Sequence, residues 1–217
     1  MSLSNQGKNT WYKLRNQNLA VFMRDSGFDM AMYTKYSHAV QVEAKKNAIR
    51  YAINSLREQF EQQTSSNISD IKRGVYVIRL SGGMAVQYDK GRSPVLYIGQ
   101  GSIETRLKGH YESKLFEFML SLNGANFDFY VCEPWKPYCR RHDYHKQIEH
   151  ALLASFGETF GGIKKNCPFP IMNKISGSNR NLEIEGNWWR KPLKKSGTKT
   201  YWVLSPGNNS EFVGALD

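Results

Sequence analysis

Hydrophobic positions follow a helical period in the first third of the chain. The recurring apolar residues, at spacings of seven, four, three and four, are Val42, Ile49, Ile53, Leu56 and Phe60. Such spacing places the side chains on one helix face, and Ser37 is a residue type that often caps a helix N-terminus. The pattern predicts one long helix from about Ser37 to Gln62. Together with Trp11 to Met23, it is expected to form an N-terminal helical arm over residues 1–71.

The pattern changes to short β-branched and aromatic runs in the middle of the chain. Residues 74–80, 95–98 and 127–132 each predict a strand. Helical periods cover residues 103–122 and 141–156. The order β-β-α-β-α predicts an α/β (α+β) core over residues 72–175, in which a small three-stranded, mainly antiparallel sheet is flanked by helices.

The last segment, residues 176–217, combines aromatic and basic side chains between Gly and Ser residues. It contains Trp188, Trp189, Tyr201 and Trp202, with Arg190, Lys191, Lys194, Lys195 and Lys199 among them. Aromatic and basic residues together are typical of a nucleic-acid surface. Tryptophans in short strands more often anchor a core, and we expect the Trp side chains to do so here. The segment is predicted to be a basic, aromatic C-terminal extension.

Composition narrows the class of protein. The 217 residues include 30 Lys and Arg against 19 Asp and Glu, and the net charge of +11 favours a polyanionic partner. No run approaches the roughly 18 apolar residues of a membrane span, and the first ten residues are polar. The 3 cysteines are too few for a disulfide framework, which favours a reducing compartment. We therefore expect a cytoplasmic protein without a membrane partner.

Two tripeptides in the first two predicted strands carry a recognisable pattern. They are GVY at 74–76 and YIG at 97–99, and they are followed in order by Arg106, His110, Glu149 and Asn173. This series resembles the GIY-YIG nuclease superfamily, with Val in place of the first Ile. The resemblance spans about residues 72–175 and implies that these residues form a nuclease site.

The stretch between the tripeptides is longer than in most members of that superfamily. It has 20 residues, and an inserted hairpin from Gly82 to Pro94 would account for the length. Longer inserts resemble those of the restriction-endonuclease branch. The insert also supplies Lys90, a cation that could reach the site.

The residue types suit phosphodiester hydrolysis. By resemblance, Glu149 is the ligand of Mg²⁺, with Mn²⁺ as a possible substitute. Mg²⁺ characteristically takes one or two carboxylates and completes its octahedron with water and phosphate oxygens. Glu149 lies next to apolar positions, where an unpaired carboxylate would be costly. Arg106 has planar hydrogen-bond donors that match the oxygens of a phosphate. His110 follows four residues later and therefore lies on the same helix face.

The resemblance also suggests roles for the tyrosines and the asparagine. Tyr76 is the candidate general base and Tyr97 the candidate that holds the water or the phosphate. A tyrosine has a reference pKa of about 10, so it acts as a base at neutral pH only if a nearby positive group favours the phenolate. Three candidates for that helper remain open: solvent bound to the metal, His110, and a lysine such as Lys90. Asn173 could hydrogen-bond a tyrosine or the catalytic loop.

The implied function is Mg²⁺-dependent cleavage of double-stranded DNA, most simply by a type II restriction endonuclease. An enzyme with a palindromic site is expected to act as a homodimer. The alternatives are a homing or mobile-element endonuclease, a non-catalytic DNA-binding protein with a nuclease-like core, and an RNA-binding module. No organic cofactor is expected. The predicted contacts to the substrate are Lys90, Arg106, Arg190, Lys191, Lys194 and Lys195.

Overall fold

The computed structural model describes residues 7–16, 18–122, 125–136, 143–163, 167–174, 184–194 and 199–205. The strands are β1 (Tyr12–Arg15), β2 (Gly74–Leu80), β3 (Met84–Tyr88), β4 (Gly91–Ser93), β5 (Val95–Gly101), β6 (Phe127–Cys132) and β7 (Trp202–Leu204). The α-helices are α1 (Leu19–Asp25), α2 (His38–Thr64), α3 (Ile103–His110), α4 (Phe116–Ser121) and α5 (Tyr144–Phe160). The protein is thus of the mixed α/β class, as the sequence predicts.

The larger sheet has four strands, in the order β1-β6-β2-β5, and every neighbouring pair is antiparallel. Three of them are the predicted strands. The fourth, Tyr12–Arg15, comes from the segment expected to be a helical arm, so the prediction of a helix from Trp11 and of three strands was wrong. Tyr12 and Leu14 alternate with Lys13 and Arg15, which is a strand period; helix α1 begins only at Leu19.

The two faces of this sheet are covered by different helices. Residues opposite one another in the register share a face, and side chains alternate along each strand. On the face of Tyr76, Tyr12 contacts Phe60 of α2 and Phe129 contacts Tyr111. Helix α5 packs against β2 and β5, on the opposite face. The core therefore lies on both sides of β2, and all seven residues of this strand are buried.

The long predicted helix and the two later helices are confirmed with small changes of their ends. Between α3 and α4, residues Tyr111–Leu115 form one π-helical stretch, so that the chain stays helical from Ile103 to Ser121. Short 3₁₀ helices cover Met30–Lys35, Ile68–Asp70 and Trp188–Leu193. Within the described residues, none of the helices combines the length and the apolar character needed to cross a membrane.

The insert between the tripeptides is a hairpin, as expected. Strands β3 and β4 pair antiparallel, and β7 joins β3 in parallel to complete a second sheet of three strands. The expectation that the tryptophans are core residues holds for Trp189, which is 7% exposed. It fails for Trp202, which is 70% exposed at the edge of the second sheet.

Candidate active site

A cavity of about 720 Å³ lies beside β5, the end strand of the larger sheet. Its wall includes five residues singled out from the sequence: Tyr97, Arg106, His110, Glu149 and Asn173. They come from β5, α3, α5 and the stretch 167–174, so the fold brings together side chains up to 76 positions apart. Tyr76 lies directly behind this wall.

Tyr76 is buried in the interior against the side chains of Tyr97 and His110. It is 1% exposed, and its Oη lies 2.9 Å from Nε2 of His110. Its ring lies nearly parallel to that of Tyr97, with a centroid distance of 5.8 Å, and the Tyr97 and His110 rings are 4.3 Å apart. Tyr97 and His110 face the cavity, whereas Tyr76 reaches it only through them.

The glycine of the second tripeptide leaves the space that this arrangement needs. Gly99 pairs with Tyr76 across the two strands. A Cβ atom at Gly99 would lie 2.7 Å from Oη of Tyr76 and 2.5 Å from a ring carbon of Tyr97. Any side chain at this position would displace one of the tyrosines, which gives the Tyr-Ile-Gly sequence a steric reason.

Burial fixes the protonation of the Tyr76–His110 pair. It raises the pKa of Tyr76, and the electrostatic effect of Tyr97 adds to the increase. Burial also lowers the pKa of His110 to about 4, helped by Lys114 and Arg106. At neutral pH the phenol is therefore protonated and the imidazole neutral, and the Tyr76 hydroxyl donates to Nε2 of His110 in the tautomer that carries its proton on Nδ1.

Glu149 is a carboxylate for which the described residues offer no direct hydrogen-bond or salt-bridge partner. It projects from α5 into the cavity and makes no hydrogen bond or salt bridge with any residue that the structure describes. Burial raises its pKa from 4.5 to about 7, although Arg106 opposes the shift. A partly buried carboxylate in this state is stabilised by any cation that enters the cavity.

Glu149 fits the sparse coordination of Mg²⁺. Among the described residues, no three His, Cys, Asp or Glu side chains come together as they do around a structural zinc. Mg²⁺ instead keeps several water molecules and accepts one or two carboxylates together with substrate phosphate. A cavity with one carboxylate that has no described partner, lined also by the basic side chains of Arg106 and Lys114, is compatible with that requirement.

Asn173 supports β5 rather than a tyrosine hydroxyl. Its Oδ1 accepts a hydrogen bond from the Ile98 N–H at 3.0 Å, and its Nδ2 donates to the Ile98 carbonyl at 2.8 Å. The neighbouring Met172 N–H donates to the Leu96 carbonyl. These bonds use the free edge of the end strand and fix the backbone on both sides of Tyr97.

Lys114 and His150 are among the cavity residues that sequence reasoning missed. Lys114 lies four residues after His110, which itself follows Arg106 by four, so this spacing was a signal that could have identified it. His150 also lines the cavity, and its buried Nδ1 has no hydrogen-bond partner within the described chain. Nothing in the sequence marks His150, because adjacent helix positions normally point in different directions.

Lys90 lies away from the tyrosines, at the other end of α5. Its Nζ is 3.5 Å and 3.4 Å from the carbonyl oxygens of Gly157 and Glu158, where a cation stabilises the helix C-terminus. Glu149 stands nine residues before Glu158 on the same helix, or about 13 Å away at 1.5 Å per residue. The structure does not bring Lys90 to the site as a helper of Tyr76.

The basic residues of the extension also lie outside the cavity. Arg190 stacks on Trp189 at 4.7 Å, and Lys191 Nζ is 3.4 Å from the Trp11 carbonyl. Lys194 borders a shallow hollow next to the C-terminal part of α5. Lys195 lies outside the described residues. The described members of this group therefore form a separate basic surface.

Comparison of the chain with protein-family models, with curated proteins and with solved structures gave no match.

Proposed function

We propose that the protein is a Mg²⁺-dependent endonuclease of the GIY-YIG type that hydrolyses phosphodiester bonds of double-stranded DNA. The single observation that carries the proposal is the cavity beside β5. Tyr97, Arg106, His110 and Glu149 line it, Tyr76 lies directly behind its wall, and all five belong to the nuclease pattern. The net charge of +11 supports a polyanionic substrate.

The side chains of the cavity divide the work of hydrolysis. Glu149 would hold Mg²⁺, which supplies charge stabilisation for the phosphate oxygens. Arg106 makes no hydrogen bond or salt bridge with a described residue, and its planar donors are free to bind the scissile phosphate. Tyr97, which faces the cavity, orients the attacking water or the phosphate.

The Tyr76–His110 hydrogen bond offers a route for the proton of the attacking water. A free phenolate is disfavoured because burial raises the pKa of Tyr76. In the His110 tautomer with a free Nε2 lone pair, the Tyr76 proton transfers across the 2.9 Å that separate Oη and Nε2, while the Tyr76 oxygen takes the proton of a water admitted past Tyr97 and His110. Tyr76 then acts as the base without carrying a net charge, and His110 serves as a neutral proton acceptor instead of the positive helper expected from the sequence.

Within this class, a type II restriction endonuclease is the more specific proposal. The hairpin Met84–Ser93 between the two tripeptides resembles the longer inserts of that branch. A homodimer on a palindromic site would follow from the symmetry of such a site. A homing or mobile-element endonuclease uses the same chemistry on a different target. A purely DNA-binding role is less well supported, because it gives no reason to bury Glu149 without a partner.

Digestion of a plasmid of known sequence in Mg²⁺, followed by mapping of the fragment ends, tests the proposal. Defined ends at one repeated sequence are the expected result for a restriction enzyme, whereas one rare long site indicates a homing enzyme. Chelation of the metal should stop the reaction. An undigested plasmid in both Mg²⁺ and Mn²⁺, with a folded protein that binds the DNA, would overturn the proposal in favour of a binding protein.

A further inference from the structure

A second hollow, of about 650 Å³, lies on the face of the sheet opposite Tyr76. It extends from the ends of β1, β2 and β6 to the turn before β3, and its described wall contains four cationic side chains: Lys13, Arg15, Arg79 and Arg92. Arg15, Asp128 and Arg79 face one another in register across three adjacent strands. We call this hollow the basic cleft.

The charges of the basic cleft are not balanced within the described chain. Asp128 is the one acidic residue among its described lining residues, and its Oδ2 forms a salt bridge with Lys13 at 2.7 Å. Arg15 Nε lies 3.7 Å from the other carboxylate oxygen. Arg79 and Arg92 have no salt bridge with a described residue, so an excess of positive charge faces the hollow.

Arg79 is the group that most needs a counter-ion. It is 4% exposed, and burial lowers the pKa of its guanidinium. Nη1 donates to the Pro192 carbonyl at 2.9 Å, while the other nitrogens make no hydrogen bond to a described residue and are not sealed from solvent. A buried cation with unused donors is costly unless an anion binds to it.

An exposed tryptophan borders this cleft. Trp202 is 70% exposed and pairs with Met84, which lines the cleft together with Thr200. The backbone of Trp202 is held by the Gly83 carbonyl, another lining group. Aromatic side chains next to basic ones stack on bases whose faces are open, and in a duplex those faces are covered by neighbouring pairs.

We propose that the basic cleft binds a single strand of nucleic acid, with phosphates on Arg15, Arg79 and Arg92 and an unstacked base on Trp202. This binding site is separate from the cavity beside β5 and does not depend on the nuclease activity. A strand is favoured over a lone nucleotide because Trp202 stands at the border of the cleft, beyond the row of charges.

Fluorescence anisotropy with a labelled oligothymidylate, in the presence of a chelator, tests the proposal. The double variant Arg15→Gln/Arg92→Gln and the single variant Trp202→Ala change exposed side chains. Each is expected to weaken binding by at least about tenfold. The control Lys35→Gln/Lys46→Gln removes the same charge from exposed positions elsewhere and should bind within about twofold of wild type. Thermal melting checks that all variants fold.

Four results would overturn the proposal. They are unchanged binding by the cleft variants, an equal loss in the control, a duplex that outcompetes the single strand through the same residues, and displacement of the strand by thymidine monophosphate at an equal nucleotide concentration. An uncut plasmid alongside cleft-dependent strand binding would remove the proposed nuclease and leave this proposal standing.

Discussion

Asp128 and Glu149 are both at least partly buried, but only Asp128 forms salt bridges with described residues. Asp128 lies in the larger sheet, where Lys13 reaches one carboxylate oxygen at 2.7 Å and Arg15 approaches the other at 3.7 Å. Glu149 lies on α5 and has no hydrogen bond or salt bridge with a described residue. Burial is consequently the leading influence on Glu149 and raises its pKa to about 7.

The comparison separates a carboxylate that the fold compensates from one for which we propose a functional role. A charge that the fold itself compensates contributes to stability, and its loss is felt in folding. A charge that the fold leaves uncompensated destabilises the protein, and such a group is expected to find its partner in a ligand. Asp128 belongs to the first kind and Glu149 to the second.

The largest expected effect is on cleavage. Glu149→Gln keeps the shape of the side chain but removes the ligand charge, so single-turnover cleavage in Mg²⁺ should fall by at least about 10³-fold. Asp128→Asn is the matched control and should cleave within about threefold of wild type, because Asp128 lies outside the cavity. Equal losses in the two variants would remove the distinction between the carboxylates.

The next effect separates the two tyrosines. Tyr76→Phe removes the hydroxyl that is hydrogen-bonded to His110 and should slow single-turnover cleavage by about 10²- to 10⁴-fold. Tyr97→Phe should be less damaging, since an orienting hydrogen bond can be replaced by solvent. Phenylalanine retains the ring packing, and a melting curve verifies that both variants are folded. Near-wild-type chemistry in Tyr76→Phe would move the base role to Tyr97 or His110.

A smaller effect on stability is expected at Asn173. Asn173→Ala deletes two hydrogen bonds to Ile98, and the unfolding free energy in urea should fall by about 1–3 kcal/mol. Asn54→Ala, on α2, is the comparison: Asn54 accepts one bond from Arg57 on the same helix, and its loss should cost less than about 1 kcal/mol. An Asn173→Ala variant as stable as wild type would show that the hydrogen bonds from Asn173 do not stabilise β5.

The smallest expected effect is a pH dependence of stability. The folded-state pKa of Glu149 lies above its ordinary value of 4.5, at about 7, so the folded protein holds this proton more tightly over that interval. Its contribution to stability therefore falls as the pH rises from 4.5 to about 7. The stability of the Glu149→Gln variant should change less with pH over this range. The variant should also be more stable than wild type at pH 8 by about 1–2 kcal/mol. Parallel stability curves would contradict the uncompensated burial.

Much of the fold could be predicted from local patterns. The strands at 74–80 and 127–132 follow from their β-branched and aromatic runs, and α2 follows from its helical period. Four of the five periodic residues of α2 are buried, whereas Val42 is 54% exposed. Strand β1 was missed because four residues of alternating character give a weak signal beside a real helix, α1, that follows. Its place in the sheet depends on pairing with β6, which is more than 110 residues away.

The cavity was only partly predictable. Four-residue spacing placed Arg106 and His110 on one helix face, and the same spacing would have added Lys114. The positions of Lys90 and His150 depend instead on how the hairpin and α5 meet the rest of the fold. Sequence alone also gave no sign that Asn173 would hold the backbone of β5 rather than a tyrosine.

The central claim is that Glu149 binds a divalent cation. Titration of its carboxyl group tests this claim most directly. In protein labelled with ¹³C at the glutamate carboxyls, the resonance missing from Glu149→Gln should titrate near the value of about 7. Mg²⁺ should shift that midpoint downward, because the ion competes with the proton for the carboxylate. A midpoint at the ordinary 4.5, or one that Mg²⁺ leaves unchanged in the presence of DNA, would contradict the account.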